Sequence, residues 1–266
     1  MPIDPSAVIH PGAEIAEDAT VGRHTIIDEH VKVGSGTRIG HFCYITGHTT
    51  IGKNNRIFSH VVLGTEPQDL KFKGEVTELL VGNDNTFREF ITANVGTAGG
   101  GGKTVIGNRC HIMACAHVAH DCRLEDNIII ANAVLLAGHV HVESNVVFGG
   151  GAAVHHYATI GRMAMVGGLT RVVQDVAPFM ITEGDRQIPR GVNVVGCRRN
   201  GLTDAEVEAL EEAYKVIYRS RLSRAQAFEK LEASPNITPH VKILIEFLRR
   251  MALGKKGRYL ETLRQK

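Results

Sequence analysis

Residues 15–44 read as five consecutive hexads, IAEDAT (15–20), VGRHTI (21–26), IDEHVK (27–32), VGSGTR (33–38) and IGHFCY (39–44), each opening on Ile or Val. Outward from there, the same period starts at Ile3 and Ile9 and continues through Ile45, Ile51, Ile57 and Leu63. It resumes in phase at Val81, Phe87 and Ala93, slips by one residue, and then runs from Ile106 to Val172. Of these 26 anchors only Ala93 is neither a branched aliphatic nor Phe, so one interior position is being filled over and over. The residue four places on is small or β-branched in most hexads, as in Ala7, Ala13, Ala19, Thr25, Val31, Thr37, Cys43 and Thr49. Gly often follows the anchor, as at Gly22, Gly34, Gly40, Gly52, Gly107 and Gly161. Fixed-period self-similarity of this kind signals a solenoid.

A six-residue repeat is too short for a helical hairpin and out of step with a 3.6-residue helix. It suits one short strand and a corner, with β-branched side chains on the strand. Anchor and anchor-plus-four share a parity, so on extended chain they face the same way and can fill one narrow interior together. Gly or a small polar residue beside them is expected to give the corner its unusual backbone angles. Stacked coils would pair in parallel about 4.8 Å apart, each stable only against its neighbours. The period itself leaves handedness and the number of strands per coil open. Residues 64–80 and 98–105 interrupt it and read as loops inserted in the solenoid, the usual place for functional groups.

Composition narrows the function. At 266 residues and 43% apolar content the chain can bury a substantial core. A net charge of +2 argues against a nucleic-acid partner, and 5% aromatics with no Trp argues against a base-stacking platform. The start MPIDPSAVIH has neither a basic region nor an apolar run, so no secretory signal is expected. No stretch approaches the ~18 apolar residues of a membrane helix. Three of the five Cys (Cys43, Cys110 and Cys122) fall on the small inward position and no CxxC occurs. They read as reduced core residues of a cytoplasmic protein.

From about residue 201 the period changes. Thr203-Asp-Ala-Glu206 and Ser223-Arg-Ala-Gln226 are capping boxes, and Thr238-Pro239 is a third helix start. Apolar residues at helical spacing predict helices near 203–219, 223–233 and 239–253. The division expected is therefore a solenoid over 1–198 and a helical domain over 199–266 that covers its open end. The final stretch KKGRYLETLRQK is expected to be only partly ordered.

The hexads closely resemble the hexapeptide-repeat acyltransferases. That resemblance implies a left-handed parallel β-helix with three hexads, or 18 residues, per coil. Most of the 14 His then fall on exposed corners, including His24, His30, His41, His48 and His60. On the same 18-residue coil His120, Gly138 and His156 stack along one corner with His139 beside them. A column of imidazoles around a Gly, whose backbone N–H is open to a ligand, reads as a site.

The resemblance becomes specific where AHVAHDC (116–122), DLKFKGE (69–75), GGGGKTVIG (99–107), LAGHV (136–140) and the GVN segment ending at Arg199 occur in one chain. Together these motifs are similar to the UDP-N-acetylglucosamine O-acyltransferases that begin lipid A synthesis, over essentially the whole chain. The resemblance implies that His120 is the general base. It would take the proton of the sugar 3-hydroxyl as that oxygen attacks the thioester of a 3-hydroxyacyl acyl carrier protein. Imidazole, with a pKa near ~6.5 in water, suits that task. Asp121 matches the acid that orients it; strand neighbours point apart, so the pair must sit at a corner. Gly138 matches the backbone donor to the thioester oxygen. Asp69 and Lys71 match loop residues that reach the sugar from a neighbouring subunit. His117 and His139 match imidazoles around the base, and Asn193 and Arg199 match contacts to the nucleotide and its phosphates. Gly168 lies where the family sets acyl length. A homotrimer is likewise implied, with acyl carrier protein and UDP-N-acetylglucosamine as partners and no cofactor or metal.

This chain departs from the family pattern at four places. His156 stands where Gln is frequent, Val195 replaces a Glu, Asn200 replaces an Arg, and Asn94-Val95-Gly96-Thr97 lacks an Arg. The departures bear on the acceptor, leaving open an analogue whose 3-substituent is an amine, which would give an amide. Three other readings compete. The related N-acyltransferase carries a uridine-binding domain before hexads that here begin at Ile3. A zinc-dependent hexapeptide-repeat hydratase would use His117, His120 and His139 as ligands. A bare scaffold would need no special residues at the 120/138/156 corner.

Overall fold

The computed structural model describes residues 3–184, 187–235 and 237–264. Two-residue strands recur every six residues and stack into three flat faces of a prism, with nine, eight and ten strands. Val8 pairs with Ile26 and Ile26 with Tyr44, all in parallel, so one coil is 18 residues. The expected period and its parallel stacking are both present.

The anchors fill the interior: Ile27, Ile45, Leu63, Ile112, Val118, Ile130 and Leu136 are all fully buried. Each such side chain contributes about 1.5–3 kcal/mol relative to exposure. The partner position also does polar work. Thr25 Oγ1 donates to the Gly40 carbonyl and Thr37 Oγ1 to the Gly52 carbonyl, each at 2.8 Å, and Asn85 Nδ2 to the Gly107 carbonyl at 2.9 Å. A small polar side chain thus satisfies a corner carbonyl of the next coil, which would otherwise be buried unpaired. Cys43, Cys110 and Cys122 occupy the same position with their sulfurs against such carbonyls. Burial pushes the thiols up, to about 11 for Cys110 and about 12 for Cys122.

The glycines after the anchors act differently from the expectation. None of Gly22, Gly34, Gly40, Gly52, Gly107 and Gly161 has a positive φ. A Cβ on Gly22 or Gly34 would instead lie 2.6 Å from a carbonyl oxygen of the next coil. Close approach of backbones, and not torsion, selects Gly there. The left-handed corner residue comes two places later and is mostly not Gly: Asn54, Asp84, Asn127, Asp121, His139 and Tyr157 all have φ between 56° and 63°.

The first insertion is tighter than the sequence interval 64–80, and the second is as long as 98–105 but lies three residues earlier. Gly64 and Thr65 belong to the strand Val62–Thr65, and Glu78–Val81 pairs with His48–Ile51 on one side and Lys103–Ile106 on the other. Ladder pairing with both neighbours draws these ends into four-residue strands, leaving residues 66–77 and 95–102 to leave the prism.

Regular coils end at Val172. A second apolar core then begins at Ala177, well before residue 199, and includes Phe179, Met180 and Val192. Its first element is an antiparallel pair, Met180–Thr182 with Pro189–Val192, which lies outside the period and had no signature in it. The helices are α1 (Val194–Arg199), α2 (Asp204–Tyr214), α3 (Arg224–Glu232), α4 (Pro239–Leu253) and α5 (Tyr259–Thr262). Both capping boxes form, and Thr238 caps α4. α2 passes into a π-helical turn over Lys215–Arg219, so the span 203–219 is not one regular helix. The tail is ordered through α5 and Arg258 is buried; its last two residues lie outside the described residues.

Candidate active site

His120 and Asp121 are the two turn residues between the strands His117–Val118 and Arg123–Leu124, where the nine-stranded face meets the eight-stranded one. Asp121 adopts φ 59°, which breaks strand alternation and brings its carboxylate back to its neighbour. His120 Nδ1 lies 2.7 Å from Asp121 Oδ2. The carboxylate is enclosed, its side chain 1% exposed. It also accepts from the Thr97 amide at 2.8 Å and the Thr97 hydroxyl at 2.6 Å. Burial pushes the Asp121 carboxyl up, but the bonds from His120 and Thr97 and the nearby His139 outweigh it and hold the group below its usual value. An ionised carboxylate only accepts, so Nδ1 carries a proton, and in the neutral ring the lone pair falls on Nε2.

Gly138 sits directly above His120. A Cβ there would lie 2.5 Å from Cε1 and 2.6 Å from Nε2 of the imidazole, so the absent side chain is the space the ring occupies. The glycine has a second effect. At the corner between the eight- and ten-stranded faces each amide donates to the side chain stacked on the next coil: Lys53 to Asn83, Asn83 to Asn108 and Asn108 to Asp126, at 2.7–2.8 Å. Gly138 offers no such side chain to the His120 amide, His156 takes no bond from the Gly138 amide, and among the described residues neither amide has an acceptor. An open N–H therefore stands beside a free imidazole nitrogen.

The surroundings are aromatic. His139 meets His120 edge-on at 5.1 Å between centroids and stacks on Tyr157 at 4.2 Å. Burial holds the His139 imidazole below its ordinary value, with Asp121 opposing that shift. His156, on the next coil of the same column, meets Tyr157 edge-on at 5.4 Å, and burial lowers it too. His117 Nδ1 is 2.7 Å from Thr92 Oγ1, and burial lowers its pKa. Loop 66–77 folds back over the same corner. Asp69 and Lys71 line a cavity of about 190 Å³ with His139, Thr97, Tyr157 and Arg264, all within one chain.

Other expected residues lie elsewhere. Asn193 and Arg199 line a separate cavity of about 890 Å³ over the ten-stranded face, with Arg109, His111 and Val195. Asn193 is buried and committed to structure: its Oδ1 accepts from the Gly196 amide, capping α1, and its Nδ2 donates to the Met163 carbonyl. Asn200 Nδ2 donates to the Gly196 carbonyl at 2.8 Å, closing the same helix. Gly168 lies at the third corner, where a Cβ would touch only Gly150. A single chain thus gathers His120, Asp121, Gly138, His139, His156, Asp69 and Lys71, and leaves Asn193, Arg199 and Gly168 apart.

Among the described residues, the set that could close on a cation is His120, Asp121 and His139, not the trio with His117. Thr92 holds the His117 ring, and Asp121 is already bonded three times. Thr97, Tyr157 and Arg264 are the participants the sequence did not announce. Thr97 had a faint signal, being the last residue of the stretch that departs from the family pattern.

Comparison with known proteins bears on this arrangement. Residues 30–65 match the family described as bacterial transferase hexapeptide (six repeats) and residues 175–257 the one described as Udp N-acetylglucosamine O-acyltransferase, domain 2. A protein of Anaeromyxobacter sp. (strain Fw109-5), named an acyl-(acyl-carrier-protein)–UDP-N-acetylglucosamine O-acyltransferase, is 46% identical over 249 residues, 94% of this chain and 97% of its own. The chain belongs to the UDP-N-acetylglucosamine O-acyltransferase family. Solved members superpose on it closely. The Francisella novicida UDP-N-acetylglucosamine acyltransferase matches with a TM-score of 0.88 at 32% identity, covering 93% of this chain and 91% of that one. The Arabidopsis enzyme matches with a TM-score of 0.81 at 37% identity, covering 93% and 96%. The solenoid is accordingly the left-handed parallel β-helix of this family.

Proposed function

We propose that this chain transfers a 3-hydroxyacyl group from acyl carrier protein to the 3-hydroxyl of UDP-N-acetylglucosamine, the entry step of lipid A synthesis, with His120 as general base. The observation that carries the mechanism is the 2.7 Å contact of His120 Nδ1 with an enclosed, ionised Asp121, which leaves Nε2 free beside Gly138. Nε2 takes the proton of the sugar 3-hydroxyl as its oxygen attacks the thioester carbon. Negative charge moves to the thioester oxygen, where the open Gly138 N–H is aimed. Collapse of the adduct forms the ester and breaks the C–S bond. The departing thiolate takes the proton back from His120, and the carrier leaves as free thiol. Neutral His139 and His117 add no cationic charge that would suppress proton uptake.

His120 and the α1 cavity are on different parts of one chain, so a nucleotide held by Arg199 needs a second copy beside the first. We take the assembly to be a homotrimer with sites between subunits, loop residues Asp69 and Lys71 reaching the sugar and Gly168 bounding the acyl chain. Among the described residues no helix is long and apolar enough to cross a membrane. The five unpaired cysteines support a cytoplasmic setting.

The test is direct. The purified chain, given 3-hydroxyacyl carrier protein and either UDP-N-acetylglucosamine or its 3-amino analogue, is expected to show the higher kcat/KM on the hydroxyl sugar. A clear preference for the amine would move the product from ester to amide. Mixing His120→Ala and Arg199→Ala chains should restore activity that neither has alone. Failure of well-folded mixed trimers to do so would place both residues in one subunit's site.

A further inference from the structure

The last described residues pack on α4 and reach across to the top coils of the solenoid. Two buried charged groups tie them down. Arg258, 4% exposed, donates through Nε to Glu261 at 2.7 Å and through its guanidinium to the Val173 carbonyl. Asp175, also 4% exposed, accepts from the Tyr259 amide at 3.0 Å and the Thr159 amide at 2.7 Å, while its own amide donates to Gly257 at 2.8 Å. A chain end fastened in this way differs from the frayed terminus usual for a domain.

The outer end of this strap delivers Arg264 to the corner that holds His120. Its Cζ lies 5.8 Å from the Tyr157 ring centroid, within cation–π range, and Tyr157 stacks on His139. Arg264 also lines the cavity shared by His139, Thr97, Asp69 and Lys71. The acids around it are already engaged. Glu261 pairs with Arg258 and Lys255, and Asp121 is enclosed by Thr97 and His120. Asp69 accepts from the Lys71 amide and Glu75 from the Lys73 amide. Lys71 and Arg264 are thus two cationic side chains on one small cavity beside the base, whose wall also carries the carboxylates of Asp69 and Glu75.

We propose that Arg264 holds a phosphate ester of a bound substrate, with Lys71 as its second cation, so that the C-terminal strap is a wall of the active-site cavity. The planar guanidinium, braced on an aromatic ring, suits a phosphate oxygen pair better than the sugar's hydroxyls. The inference rests on the acyl-transfer reading. Two sources of the group fit that reaction: the diphosphate of the nucleotide sugar and the phosphodiester of the carrier's prosthetic arm.

The test compares Arg264→Gln and Arg264→Lys with wild type, in the full-length chain, varying each substrate in turn. Losing a charge-assisted contact should raise KM by about 10-fold or more for one substrate, with kcat within about twofold. Arg264→Lys should recover part of the loss, and the affected KM should become less sensitive to salt. The substrate whose KM rises identifies the phosphate. Unchanged KM values for both, or a fall in kcat with both KM values unchanged, would overturn the proposal. His120→Ala, assayed in parallel, reports on the acyl-transfer reading alone, so failure of either idea remains legible.

Discussion

The corner at Lys53, Asn83, Asn108 and Asp126 and the corner at His120, Gly138 and His156 share one backbone. Both are turns whose second residue is left-handed, stacked coil on coil. In the first, Asn and Asp side chains accept every amide from the coil below, and the column is sealed. In the second, Gly138 brings no side chain to the His120 amide and His156 takes no bond from the Gly138 amide, so among the described residues both stay unsealed, and the left-handed positions carry Asp121, His139 and Tyr157. Chemistry here needs no new fold element. It needs a single interruption in a stabilising ladder, with titratable groups placed around the gap.

The largest effect should come from removing the base. His120→Ala is expected to lower kcat by on the order of 10²–10⁴, with the chain still folded but its melting temperature somewhat lower, because the enclosed Asp121 loses one of its three bonds. Gly138→Ala should come next. Its Cβ would meet the imidazole at 2.5 Å, forcing the ring aside, and a loss on the order of 10²–10³ in kcat is expected. Gly138→Asn sharpens the comparison, because it supplies to the His120 amide the acceptor seen at the sealed corner. It should cost similar activity and leave stability equal or higher, measured by thermal unfolding.

Thr97→Val removes the hydroxyl that donates to Asp121 at 2.6 Å but keeps the side-chain shape. A bond to a charged acceptor is worth about 1.5–3 kcal/mol, so a loss of roughly 10-fold in kcat/KM is expected. The same variant should be more acid-sensitive in a pH series of melts. Asp121 is held below its ordinary carboxyl value, so its ion contributes stability that is present above about pH 4 and is lost as pH falls through the folded value. Weakening the bonds that lower it moves that loss to higher pH. Smallest is Gly168→Met. A Cβ there is free except for Gly150, so the chain should fold and prefer shorter acyl donors by about 1–3 kcal/mol. Unchanged ranking across donor lengths would remove Gly168 from that role.

The solenoid was readable because every coil must solve the same interior problem with the same residue types, and Ile27, Ile45 and Ile112 are interchangeable answers to it. The corners were less readable. Gly22 and Gly34 sit beside the bend and were expected to supply its torsion, yet the left-handed residue lies two places on, His24 in one hexad and Gly36 in the other, and Gly22 and Gly34 answer a backbone clash. His120, Gly138 and His156 could be aligned from an 18-residue coil. Thr97, Tyr157 and Arg264 could not all be gathered in the same way. Thr97 sits in an insertion, Arg264 in a terminal strap, and neither carries a period that fixes its neighbours in space. Asn193 shows the opposite case: its motif was visible, but only the structure reveals that its amide is spent on capping α1 and bonding Met163.

The central claim is that the acceptor's proton leaves through Nε2 of His120 while Asp121 stays ionised throughout. The measurement that tests it most directly is the pH dependence of kcat/KM for wild type against His120→Ala, with binding of both substrates checked separately. The wild type should show an acid limb of unit slope, because one imidazole must be neutral and Asp121 is deprotonated across the range. In the variant the residual rate should lose that limb. An acid limb of the same slope and position in His120→Ala would assign the titrating base to another residue and contradict the account.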